Sequence, residues 1–405
     1  MLMRWQRTDW CCGGIIAVSL FAVPAPAAFA SADSITSDET TCSWNVVSSP
    51  NTTMPDNILR GVAVVTASDI WVVGDATRDP SVPGATLIEH WDGSSWSIVR
   101  SPGPRGATAL LDGISAISSN DVWAVGTAQG RGSARTLTEH WDGQRWQIVP
   151  SPSLSVGSQP ADNTLTGVVA ISSNDVWAVG YAASITIGET LVEHWDGTSW
   201  TIVQSPNPGQ GTGFFDDRLF GVTAVSASDI WTAGESTALG EEHNLIEHWD
   251  GSAWNVVVSP HFPNTNVDFM NAISAISATD IWTVGAFTIP NAEGSPLQTG
   301  TLHWDGTSWS ILDSPSPSSS FDILNGVAAV SSDDVWAVGS FQADSGLLNT
   351  LIEHWDGTSW SVFPSPAGTP SSELLGVAAV SSTDLWSVGE NASERRTLIE
   401  HFTCQ

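Results

Sequence analysis

The feature that most constrains this chain is a repeat. The block D-[VIL]-W-x-[VA]-G begins at Asp69, Asp121, Asp175, Asp229, Asp280, Asp334 and Asp384, at spacings of 52, 54, 54, 51, 54 and 50 residues. We number these units repeats 1 to 7. A Ser-Pro pair closes each unit, at Pro50, Pro102, Pro152, Pro206, Pro260, Pro315 and Pro366. A period near 50 built from several short strands is propeller-like, and the 3.6-residue pattern of helical repeats is missing.

Repeat 6 shows the unit well. Its strand-forming segments are 326–330, 335–338, 350–355 and 360–363, separated by the turn formers Ser332-Asp333-Asp334 and Asp356-Gly357-Thr358-Ser359. The expectation is an all-β, seven-bladed β-propeller with four-stranded antiparallel blades, whose radial packing leaves only short edges. Repeat 7 ends one strand short, at 398–405, and the missing strand stands at 42–50. This predicts a 3+1 closure by the N-terminal strand. Aligned on the hairpin 89–96, Cys404 falls opposite Gly93 and Cys42 opposite Ser94, so a Cys42–Cys404 disulfide is expected at the cut turn.

The N-terminal region reads as an export signal over residues 1–30, with Arg4 and Arg7, an apolar run at 15–23 and the small-residue site Ala28-Phe29-Ala30. A flexible segment 31–40 and the propeller 41–405 follow. The chain is therefore expected to be secreted and extracellular, where paired cysteines oxidise. A formal charge of −31, with no lysine, disfavours nucleic acid and anionic membrane surfaces. No later segment is apolar enough for a membrane span. A monomer binding an extracellular glycan or cell-surface ligand, without an obligatory cofactor, is the expectation.

Every tryptophan beyond Trp10 occupies a repeat position, in the second, third or fourth strand. These rings read as packing between blades. His90, His140, His194, His248, His303, His354 and His401 each precede the third-strand aromatic and read as architectural, and the block aspartates as turn caps. Asp175-Val176-Trp177-Ala178-Val179-Gly180, followed by His194-Trp195-Asp196-Gly197-Thr198-Ser199-Trp200, resembles the repeat of secreted bacterial Trp-rich propellers of the tectonin and tachylectin-like type. Many of those are lectins. The resemblance covers most of the chain and implies a carbohydrate-binding propeller; the units here are longer, so that family's ligand positions do not transfer.

Function is expected where the repeats differ, on the face that carries the long connections. Phe214, Phe215, Phe220, Phe262, Phe269, Phe287, Phe321 and Phe341 all belong to repeats 4 to 6 or their entrances. Arg60, Arg78, Arg105, Arg131, Arg135, Arg395 and Arg396 belong to repeats 1, 2 and 7, so charge and aromaticity are expected to divide the face. Ahead of the innermost strands stand Asn57, Asn163, Asp217, Asp268 and Asp322, with Ala109 and Ser372 departing and Asp112 and Glu373 nearby. These groups either introduce strands as Asx turns or form a partial ring at the channel mouth. In such a ring Asp217, Asp268 and Asp322 could hold Ca²⁺ or accept sugar hydroxyls.

The expected ligand-binding set is Phe214, Phe215, Asp217, Phe262, Asp268, Phe269, Phe287, Asp322 and Phe341. The alternative is a polysaccharide lyase or glycoside hydrolase using Asp217, Asp268 and Asp322 with His243, flanked by Glu241 and Glu242, or His261. A third reading is a structural or protein-interaction propeller.

Overall fold

The computed structural model describes residues 41–405 apart from 79–83, 105, 157–158, 185–186, 211–214, 239–240, 266, 290–295 and 367–370. The expected signal, the segment 31–40, Arg105 and Phe214 lie outside the described residues. Period-two alternation produces strands wherever the repeat predicts them. In repeat 6 these are Asp322–Ser331, Asp334–Gln342, Leu348–Trp355 and Trp360–Val362, paired antiparallel in that order. Turn chemistry fixes the register. Asp356 Oδ1 accepts the Thr358 and Ser359 amides at 2.8 and 2.9 Å, and Gly357 takes φ 89°, which its missing Cβ allows.

The same strand order recurs in every repeat. Repeats 1, 2, 5 and 6 form separate four-stranded sheets. Repeats 3 and 4 share one eight-stranded sheet, joined by a parallel bridge of Ile187 to Phe215 and Gly188 to Asp216. Repeat 7 completes its sheet with Cys42–Val46, which pairs antiparallel with Arg396–Cys404 in the register Cys42 to Cys404 and Trp44 to Phe402. The Cys42–Cys404 disulfide closes this pairing.

The first strands of successive repeats pack side by side, and Ser372–Ser381 of repeat 7 packs against Asp56–Thr66 of repeat 1. The approach is close, since a Cβ on Gly376 would stand 2.8 Å from the Arg60 carbonyl oxygen. The sheets therefore close into a β-propeller. Between them runs a channel of about 180 Å³, lined by Thr166, Phe220, Asn271, Asn325 and Leu375 with the adjoining glycines.

The core lies between neighbouring sheets. Trp71 of repeat 1 meets Trp141 and Trp146 of repeat 2 at ring distances of 4.9 and 5.5 Å, and Trp386 of repeat 7 meets Trp91 and Trp96 of repeat 1 at 5.1 and 5.5 Å. Second- and fourth-strand tryptophans are buried, while third-strand ones are half-buried lids. Among the described residues no helix is long and apolar enough to cross a membrane.

Candidate functional site

The repeat histidines bond to the block aspartates of the scaffold. Nε2 of each lies 2.8 or 2.9 Å from the block aspartate of its own repeat, from His90–Asp69 to His401–Asp384. The ring stacks on the second-strand Trp, as Trp231 on His248 at 4.2 Å.

A second series escaped the sequence reading. Glu89, Glu139, Glu193, Glu247, Glu353 and Glu400, each directly before a repeat histidine, are wholly buried. Alternation turns them away from their His neighbours, and in repeats 2, 6 and 7 the Ser-Pro serine of the preceding repeat donates to them: Ser101 to Glu139 at 2.8 Å, Ser365 to Glu400 at 3.0 Å, and Ser314 to Glu353. Among the described residues the Glu89 and Glu247 carboxyls have no hydrogen-bond partner. Burial pushes Glu89, Glu193 and Glu353 up to about 8, and Glu139 and Glu400 to about 7. Repeat 5 has Leu302 at this position, and Ser259 bonds Asn244 of its own repeat instead. The recurrent Glu-His pair was the available signal.

The expected carboxylate and amide ring does not form at the channel mouth. Asn57, Asn163, Asp217 and Asp322 are buried and grip the loop that enters their own repeat. Asn57 accepts the Thr52 amide at 2.8 Å, Asn163 that of Leu154 at 2.7 Å, Asp217 that of Gly209 at 3.2 Å and Asp322 that of Ser318 at 3.1 Å. Burial raises Asp217 to about 6 and Asp322 in the same direction. Committed to separate loops, Asp217, Asp268 and Asp322 do not gather into one calcium site: among the described residues they make no common metal-ligating group. The charge near the first strands comes instead from Arg60, 3.1 Å from Asp75 and 3.8 Å from Asp112.

Phe262, Phe287 and Phe341 pack loops down. Phe262 is 4 % exposed and stacks on Phe287 at 4.3 Å, within the core shared by repeats 4 and 5. Phe341 packs into the core of repeats 5 and 6, Phe269 is half-buried, and Phe215 lies on the first strand of repeat 4. Nor do charge and aromaticity divide cleanly. Arg218, overlooked in that division, lies over the Tyr181 ring at 4.9 Å and 3.5 Å from Glu235, a carboxyl pushed to about 8 by burial and by Glu242.

One irregular cluster remains. His243 opens the third strand of repeat 4, Glu241–Trp249; His261 sits on the connection to repeat 5; Asp268 opens the first strand of repeat 5, Asp268–Ser277. A parallel bridge of Glu242 to Val267 brings these segments alongside one another. Each imidazole Nδ1 lies 3.6 Å from Asp268 Oδ1, and the two rings lie 4.1 Å apart at a tilt of 39°. Asp268 is fully buried and held by the Asn244 amide at 2.7 Å and the Phe262 amide at 3.0 Å. His261 is half-exposed, which opens the cluster to solvent. Both histidines and Asp268 were candidates from sequence; their convergence was not visible there.

No family model matches the sequence, and no curated protein matches it. Among solved structures the chain is similar to YCF48 from Cyanidioschyzon merolae, with 15% identity, TM-score 0.50, and 89% of this chain and 98% of that one covered. It is also similar to a PL25 polysaccharide lyase, an ulvan lyase, with 8% identity, TM-score 0.56, and 86% and 94% covered. A structure of that lyase bound to -[GlcA(1-4)Rha3S]- gives 8%, 0.56, 88% and 95%. At these identities the likeness shows the fold alone, a β-propeller.

Proposed function

We propose that this chain is a secreted, seven-bladed binding propeller that recognises carbohydrate on the loop face of repeats 4 and 5. The blade count rests on the seven repeats and on the eight-stranded sheet being two blades joined through two bridged residue pairs. Export rests on the signal-like residues 1–30 and agrees with the disulfide. The glycan class rests on the tectonin and tachylectin-like repeat.

The observation that carries the reading is the cluster of His243, His261 and Asp268. It breaks the sevenfold pattern on the variable face, and it combines a solvent-facing imidazole with a buried, rigidly held carboxylate, the mixture of reach and fixity that polar ligand recognition needs. A glycan array tests it. Binding with the ligand left unchanged, weakened by His261→Ala and spared by changes on the uniform-turn face such as Ser252→Ala, supports the reading; no bound glycan overturns it.

A glycan-active enzyme is the second reading, favoured by the same two histidines meeting on one carboxylate as an acid–base pair. Product release from a polysaccharide panel, abolished by His243→Ala, selects that reading over the first.

A further inference from the structure

We propose that His243, His261 and Asp268 form a site for one divalent transition-metal ion of the Zn²⁺ class, with open coordination positions facing solvent. Among the described residues this is the group whose three ligand atoms, two imidazole nitrogens and a carboxylate oxygen, fall within 4.8 Å of one another. Ligands about 2.0–2.1 Å from a tetrahedral zinc stand roughly 3.3 Å apart. Both 3.6 Å edges to Asp268 Oδ1 are within a few tenths of an ångström of that spacing. The His243–His261 edge closes by movement of His261, which sits on a connection and is half-exposed.

A separate observation points to a cation. His243 Nδ1 is out of solvent and has no hydrogen-bond partner. It faces Asp268 Oδ1 at 3.6 Å, too long for the hydrogen bond that each repeat histidine makes to its aspartate at 2.8–2.9 Å, and a cation between the two atoms would satisfy both.

The surroundings have the form of a metal site's outer shell. Asn244 and Phe262 fix the Asp268 carboxylate through their backbone amides, and the Asn244 side chain adds a third bond at 3.2 Å. Two imidazoles select against Ca²⁺, which takes oxygen ligands, and for Zn²⁺ or its neighbours. Three protein ligands leave at least one position for water or for an oxygen of a bound molecule. That this oxygen is a sugar hydroxyl or carboxylate rests on the glycan reading above; the metal site does not.

The test is isothermal titration of the chelator-stripped full chain with Zn²⁺, and visible d–d absorption with Co²⁺. The expected result is one ion per chain, not displaced by Ca²⁺. His261→Ala, which is exposed enough to leave the fold intact, and His243→Gln should each weaken Zn²⁺ by about 100-fold or more. Absence of stoichiometric Zn²⁺ binding, or His261→Ala binding as tightly as the parent, overturns the proposal. Zinc is measured without glycan, so a failed glycan array leaves a positive titration standing, and a failed titration leaves the glycan reading standing.

Discussion

Two kinds of histidine–aspartate pairing exist in this molecule, and they differ in closure. In each repeat the histidine binds its block aspartate at 2.8 or 2.9 Å, and in repeats 1, 3, 4, 5 and 6 the same oxygen also accepts the Trp indole N–H, as Trp282 to Asp280 at 2.8 Å. In those five repeats the aspartate is shared between the two rings. At Asp268 two histidines approach one carboxylate and neither reaches hydrogen-bond distance. The recurrent histidine–aspartate pairs therefore satisfy one another, whereas the pair of histidines that departs from the repeat leaves its contact with Asp268 open.

Four measurements break or sharpen that contrast. The largest effect belongs to the scaffold's buried glutamates. Their folded carboxyls stay protonated up to about 7 or 8, whereas the unfolded ones release protons near 4.5. Between those limits the folded state binds more protons, so stability falls as pH rises through the window and is fully present below it. Thermal melting should be markedly higher at pH 5 than at pH 8. Release of self-repulsion from the acidic chain has the same sign, so Glu353→Gln provides the separation: it should flatten the dependence by its share. An unchanged slope removes Glu353 from the account.

Next in size, Trp282→Ala empties an interface between repeats 5 and 6 and should cost about 3–5 kcal/mol in denaturant unfolding. His248→Ala removes a bond to a carboxylate and should cost about 1.5–3 kcal/mol, with ligand and metal binding retained. His261→Ala should change stability by less than about 0.5 kcal/mol and yet weaken what the cluster binds by about 100-fold or more. If His248→Ala lost binding and His261→Ala lost stability, the division between scaffold and site would be reversed.

The scaffold was legible because its causes are local. Alternation gives strands, Asp-Gly-x-Ser gives the turn, and the truncated repeat 7 locates its own missing strand beside Cys42. The buried glutamates were less so: a charged residue in Glu-His-Trp reads as surface until the strand is paired and the serine of the neighbouring repeat faces it. Phe262 and Phe287 were read as ligand platforms, but the long connections need an apolar anchor of their own and take these two rings for it. His243 and His261 stood out as histidines off the repeat. What no local rule gives is that the stretch between them folds back so that both reach Asp268; that depends on the parallel bridge at Glu242, a contact between repeats.

The pairing of Cys42–Val46 with Arg396–Cys404 has a consequence for how the chain comes to exist. The two partners are separated by 362 residues. Cys42–Val46 is thus synthesised long before its partner, and it must wait as an unpaired edge until residues 396–404 have been made. Such a non-local step is slow and exposes a strand to the wrong neighbours. Removing residues 396–404 would therefore leave Cys42–Val46, far away in sequence, without its partner.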